Sequence, residues 1–152
     1  IKEAKDKDEN FDKSKPLFGL PLASKDLLDV VGFPTTYGFP GYKNYFPEKN
    51  SLIVDRQVNS GAIIIGKTNT AELGVGGHTI NRLFGPTSNV YDLSKSAAGS
   101  SGGASSAVAA GLLPFADGTD QMGSCRGPAA YANIYGFRPT PGLIPVDRTA
   151  QN

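Results

Sequence analysis

The sequence predicts an α/β fold, on three observations. Two short segments, one built on GLPLAS and one at Ala62–Ile65, run continuously apolar, as strands of a parallel sheet do when both faces are covered. Between them lies a stretch with apolar residues at helical spacing, the pattern of a crossover helix. Beyond them strand-like and helix-like segments keep alternating, which is the mark of the α/β class.

Taken in order, residues 1–15 are a charged, solvated and flexible segment. Leu17–Lys25 is the first strand. Gly32, Pro34 and Pro40 punctuate a loop. Asn50 or Ser51 caps a helix running to Asn59, with Ile53, Val54 and Val58 on its inner face and Gly61 as its stop. Ala62–Ile65 is the second strand, and Thr70–Leu73 is a short helical turn. Within SAAGSSGGASSAVAAG, at 96–111, the small apolar run Ala104–Ala110 is helical. Leu112–Ala116 reads as a strand in spite of Pro114, and a loop opens at Gly118. Pro128 suits the first position of a helix ending near Asn133. Tyr135–Arg138 reads as a strand closed by a turn at Pro139–Gly142.

Composition narrows the function. A chain of 152 residues suits one domain, and 39% hydrophobic residues can build a core. No apolar run approaches the roughly 18 residues of a membrane span, and the charged opening is no signal peptide. A net charge of +1 gives no electrostatic basis for nucleic-acid binding. Cys125 is the sole cysteine, so no intramolecular disulfide forms, which fits a cytoplasmic protein. The chain begins at Ile1, without an initiator Met, and ends just after a proline-rich turn, so it reads as part of something longer.

The glycine- and serine-rich loops do not match the common patterns of several chemistries. Ala104 follows Gly103 where a phosphate-binding GxxxxGK[ST] loop needs lysine, and GxGxxG does not fit Gly99, Gly102 and Gly103. One histidine (His78) and one cysteine are too few for a metal centre, so no metal or cofactor is expected. Ser124 does not stand in a GxSxG elbow, because Met122 lies two residues before it. A Ser-His-Asp triad would have to use His78, which sits in a GGHT turn.

Four ordered blocks carry a resemblance. GLPLASKDLLDVVGFPTT, GKTNTAELG, FGPTSNVYD with AGSSGGASSAVAAG, and GTDQMGSCRGPAA together resemble the signature segments of the amidase signature family, over about Gly19 to Pro145. The resemblance implies an α/β/α sandwich around a mixed sheet, of which only the N-terminal part is present, with residues 16–152 as a partial catalytic domain. It implies hydrolysis of a carboxamide C–N bond through an acyl-enzyme, on a small-molecule substrate, with association of copies as an option. It also implies the site residues: Ser124 as nucleophile, Ser100 as bridging serine after a cis Gly99–Ser100 bond, and Lys25 as base. The N–H groups of Gln121, Met122, Gly123 and Ser124 would form the oxyanion hole, and Gly74 would wall the substrate pocket.

The chemistry suits these residue types. A serine hydroxyl needs a base to become a nucleophile, and a lysine serves once burial depresses its pKa. The plain alternatives are a strand-end lysine, a turn serine at 100 and a turn residue at 124. Cys125, beside the nucleophile, reads as inert packing, and Asp120 and Arg126 read as charges that hold the loop. The chain departs from the family pattern at Met122, Ala98, Ala104 and Cys125. Two other readings stand beside the amidase. One is the amidase component of a tRNA-dependent amidotransferase, whose pattern usually has glycine at Met122 and glutamine at Gly127. The other is a non-catalytic, amidase-like fragment.

Overall fold

The computed structural model describes residues 12–145. Most of the predicted charged segment, and the chain after Pro145, lie outside the described residues. The frame is a βαβ unit. β1 (Pro21–Lys25) pairs in parallel with β2 (Ile63–Thr68), in the register Leu22↔Ile64 and Lys25↔Thr68, and α1 (Leu52–Asn59) lies between them in sequence. The register slips between Leu22 and Ala23, where Ile65 is the additional residue of β2. Such a bulge bends the strand. Downstream, β3 (Ile80–Asn81) and β4 (Gly85–Pro86) form a small antiparallel ribbon, which the sequence reading did not contain. Asn81 Oδ1 closes it by accepting the N–H groups of Leu83 and Phe84, at 2.9 and 2.8 Å.

α2 (Gly102–Ala109) packs on β1 and β2, and α3 (Arg126–Tyr131) packs on α2. Gly103 is what lets α2 approach the sheet, since a Cβ there would lie 2.3 Å from the backbone N of Asn69, just past β2. The core is Leu22, Val54 and Ala62 together with small residues such as Ala97, Ala104 and Ala129. Small side chains bury little area each, so close backbone packing substitutes for bulk.

Several boundaries differ from the sequence reading. The first strand starts at Pro21, because Leu17–Leu20 is a turn with Leu20 N–H bonded to Leu17 O at 3.1 Å. Ser51 precedes α1 but does not cap it. Its hydroxyl accepts Asp29 N–H at 2.9 Å and fastens the preceding loop instead. Of the expected inner face of α1, Val54 is fully buried while Val58 is exposed. The helical turn expected at Thr70–Leu73 is a 3-10 turn at Glu72–Gly74. α2 begins two residues before Ala104. α3 begins at Arg126, so Pro128 is its third residue rather than its first.

Two expected strands are absent. Leu112–Ala116 and Tyr135–Arg138 are irregular, with no ladder partner among the described residues. An extended segment becomes a strand only where another edge accepts its backbone. Tyr135 and Phe137 project from the second segment almost fully exposed.

Candidate active site

The last residue of β1 carries the first functional group. The backbone N–H of Lys25 donates to Asp117 Oδ1 at 2.7 Å, and Ser24 Oγ donates to Asp117 Oδ2 at 2.9 Å. Gln57 Nε2 of α1 reaches the same oxygen at 3.2 Å. Asp117 thereby ties β1, α1 and the 117–120 loop together. The Lys25 side chain has no exposed surface, and its Nζ lies 2.7 Å from Ser100 Oγ and 2.8 Å from Thr119 Oγ1. No carboxylate among the described residues touches the ammonium directly. Burial lowers its pKa to about 8, against weaker attraction from Cys125, Asp117 and Asp120.

Ser100 is held from behind. The Gly99–Ser100 peptide is cis. Ser100 O accepts Ala71 N–H at 3.2 Å, and Ala98 O accepts Thr79 N–H at 2.9 Å. Gly99 presses on the backbone of His78, where a Cβ would come within 2.7 Å, so residue 99 must be glycine for this contact. His78 itself bonds through Nδ1 to Ser96 Oγ at 2.9 Å, away from the serines at 100 and 124.

Ser124 sits on the adjoining loop, half-buried. Its carbonyl accepts Ser101 N–H at 3.1 Å, which joins the two serine loops. Its hydroxyl makes no hydrogen bond among the described residues. Lys25 and Ser100 are therefore linked side chain to side chain, while Ser124 is brought to the same place through its backbone. The loop is shaped by Asp120, whose carboxylate accepts the N–H groups of Gly123 (2.7 Å), Cys125 (3.1 Å) and Arg126 (3.2 Å), and both Nε and Nη2 of Arg126 at 2.9 Å. The Arg126 guanidinium, followed by those N–H groups, holds the Asp120 carboxyl well below the usual carboxylate range. Gly123 N–H is thus engaged by Asp120, whereas those of Gln121, Met122 and Ser124 have no hydrogen bond among the described residues.

Burial pushes the Cys125 thiol up, and its Sγ lies 4.0 Å from Ser101 Oγ. Gly74 has a φ of +74°, and a Cβ on it would meet Leu27 Cδ1 at 2.6 Å, so backbone and packing both account for glycine there. A cavity of about 530 Å³ is lined by Asp26, Thr36, Lys67, Asn69, Phe84 and Thr87 among others, and its lining contains none of Lys25, Ser100, Ser124 or Gly74. Two residues at the heart of the arrangement, Thr119 and Asp117, have no role in the sequence reading. The signal was available for Thr119, which belongs to the same GTD block as Asp120. Among the described residues no group of three or more His, Cys, Asp or Glu is placed to hold a metal ion. None of the helices described is long and apolar enough to cross a membrane.

The site thus sets a buried lysine on a serine hydroxyl at the end of a βαβ frame, beside a serine loop whose N–H groups at 121, 122 and 124 make no hydrogen bond among the described residues. Comparison with known proteins gives the family: residues 1–151 match the family model described as Amidase, and the chain belongs to the amidase signature family. It is 47% identical to an acylamidase of Rhodococcus erythropolis, over 88% of this chain and 28% of that protein. It is 43% identical to a glutamyl-tRNA(Gln) amidotransferase subunit of Methanosarcina barkeri, over 85% of this chain and 27% of that one. Among solved structures, the corresponding glutamyl-tRNA(Gln) amidotransferase subunit of Thermotoga maritima superposes with a TM-score of 0.82 at 36% identity, covering 86% of this chain and 28% of its own. A bacterial aryl acylamidase of the amidase signature family gives 0.80 at 38% identity, covering 85% and 27%. The chain thus spans little more than a quarter of these relatives.

Proposed function

We propose that this chain carries the nucleophile, the proton relay and the base of an enzyme that hydrolyses carboxamides. The observation that supports this best is the fully buried Lys25 Nζ, 2.7 Å from Ser100 Oγ. A lysine with a pKa near 8 is partly neutral at physiological pH, and its lone pair can accept the Ser100 proton. Ser100 Oγ in turn takes the proton of Ser124 as Ser124 Oγ bonds to the amide carbonyl carbon. The carbonyl π pair moves to oxygen, where the N–H groups of Gln121, Met122 and Ser124 stabilise the charge. When the tetrahedral adduct collapses, the C–N bond breaks and the proton held on Lys25 returns through Ser100 to the departing amine. Water repeats the sequence on the Ser124 ester and releases the acid. Every proton in this scheme moves between side chains, substrate and water, without a metal or organic cofactor.

The experiment is hydrolysis of simple carboxamides by the protein bearing this sequence, followed by ammonia release. Ser124→Ala should abolish turnover, a loss on the order of 10⁴-fold or more, while circular dichroism stays unchanged. Near-wild-type turnover by that variant would remove Ser124 as nucleophile.

A second reading has support of its own: several of the relatives belong to glutamyl-tRNA(Gln) amidotransferases, at 42–46% identity. Under that reading the same chemistry supplies ammonia to a partner protein. Co-purification with other subunits, and glutaminase activity that depends on them, would favour it over a free-standing amidase.

A further inference from the structure

We propose that Asp117 is a positioning residue for the base: its carboxylate fixes the backbone that carries Lys25 and biases the Lys25 amine toward its charged form. The inference rests on the amide-hydrolase reading above. Asp117 Oδ1 accepts the Lys25 N–H at 2.7 Å, while Oδ2 accepts Ser24 Oγ at 2.9 Å and Gln57 Nε2 at 3.2 Å. All three partners donate, so both oxygens act as acceptors, as those of an ionised carboxylate do. Ser24 and Lys25 have no exposed surface, so these two donors depend on Asp117 for an acceptor.

The other charges around the base are matched. Asp26, the next residue, pairs with Lys67 of β2 at 3.1 Å. Asp120 is held by the Arg126 guanidinium at 2.9 Å. Burial pushes the Cys125 thiol up, which defers a thiolate to higher pH. Lys25 and Asp117 remain, opposite in charge and each without an ion pair among the described residues. The carboxylate grips the backbone of the lysine, while Nζ faces the hydroxyls of Ser100 and Thr119. A carboxylate on Nζ itself would strongly favour the ammonium and hold back its proton. One seated on the backbone pulls less. Burial lowers the Lys25 pKa to about 8, and Cys125, then Asp117 and Asp120, oppose it. Because Arg126 offsets Asp120, Asp117 is the carboxylate whose charge is left to act on the amine. Burial pushes the Asp117 carboxyl up in turn, and its three hydrogen bonds and Lys67 oppose that.

The test replaces Asp117 by Asn, which removes the charge and keeps Oδ1 for the Lys25 N–H. The new amide has a partner at hand: Gln57 Oε1 is buried without a hydrogen bond, and a turn of the Gln57 amide presents it. Two readouts are taken on the protein bearing this sequence. One is the pH–rate profile for the carboxamide that the wild type cleaves fastest. The other is the titration of Lys25 by NMR of isotope-labelled lysine Cε, assigned with Lys25→Met. In Asp117→Asn both the acid limb and the Lys25 titration should move to lower pH by about one unit, the low end of what a nearby opposite charge contributes. Asp117→Ala should move them the same way and lower the plateau kcat further, because no acceptor remains for the Lys25 N–H. The wild type decides the matter if neither variant folds: NMR of labelled aspartate Cγ should find Asp117 ionised throughout the acid limb, and a carboxyl still protonated there would overturn the proposal. A lower plateau in Asp117→Asn with the Lys25 titration unmoved would reduce Asp117 to a structural brace and overturn the proposal, while the amidase reading stood. A displaced titration in a protein whose wild type hydrolyses no carboxamide would instead overturn the amidase reading, leaving Asp117 as the control on the Lys25 charge.

Discussion

At the scale of single residues, the proposed chemistry turns on how burial eases the loss of the Lys25 proton and how its amine is aimed. Its Nζ has two hydroxyl neighbours, Ser100 at 2.7 Å and Thr119 at 2.8 Å. If a neutral amine donates one N–H to Thr119, its lone pair is left to face Ser100. Thr119→Val keeps the shape and removes the acceptor. Turnover should fall by roughly 10- to 100-fold with KM little changed, and Thr119→Ser should restore it. Loss of an acceptor that favours the ammonium should also move the acid limb of the pH–rate profile to lower pH. Equal defects in the Val and Ser variants would reduce Thr119 to a packing residue. Lys25 links pH to stability as well. Its folded pKa is depressed from 10.5 to about 8 by burial, so between those values the unfolded chain holds the proton more often than the folded one. Stability from this group therefore rises as pH goes from 8 to 10.5, and is flat below 8, where both states are protonated. Denaturant titrations should show that rise in the wild type and its loss, as a difference, in Lys25→Met. The residue types of the site were legible in the sequence through their blocks. The partners of Lys25 were not, because Thr119 and Asp117 lie more than 90 residues away and only the fold brings them to β1.

At the scale of elements, α3 and the loop before it depend on Asp120. The helix has no capping side chain at Cys125, and Asp120 supplies the acceptor from five residues earlier. Its folded pKa is lowered, first by Arg126 and then by backbone N–H groups, so its contribution is fully present above the unfolded value of 3.8 and is lost as pH falls below that, through the folded value. Asp120→Ala should destabilise the protein by about 1–2 kcal/mol at neutral pH, with a visibly smaller effect as pH drops below 4. A pH-independent penalty would show that shape rather than charge matters there. The same variant should lose activity, since Gly123 and the neighbouring N–H groups lose their brace. The helices at 52–59, 102–109 and 126–131 were legible because spacing, small residues and stops are local signals. The strands read at Leu112–Ala116 and Tyr135–Arg138 failed because pairing is not local: apolar residues there show only that the segment seeks cover. Ser51 failed as a cap for the opposite reason, since Asp29 takes its hydroxyl first.

At the scale of the whole molecule, several large side chains with apolar bodies stand out on the described surface. Leu93, Leu112, Tyr135, Phe137 and Leu143 are each at least 70% exposed. Single exposed apolar side chains are ordinary, but many together favour association. The isolated 152-residue chain should therefore bind a hydrophobic dye and sediment as more than a monomer at micromolar concentration, with little amidase activity. A dye-silent, fully active monomer would contradict that expectation. The α/β class was legible from two apolar runs and one crossover helix, and the family from four blocks in order. The extent of the sheet was not, because it is set by pairing among segments far apart in the chain. The central claim is that Ser124, activated through Ser100 by Lys25, carries the acyl group. It is tested most directly by intact-mass spectrometry with peptide mapping, after a rapid quench of the protein with an activated amide substrate. The expected result is an acyl adduct on Ser124, absent in Ser124→Ala and much slower to form in Lys25→Ala. An adduct on Cys125, or one on Ser124 formed equally fast without Lys25, would contradict it.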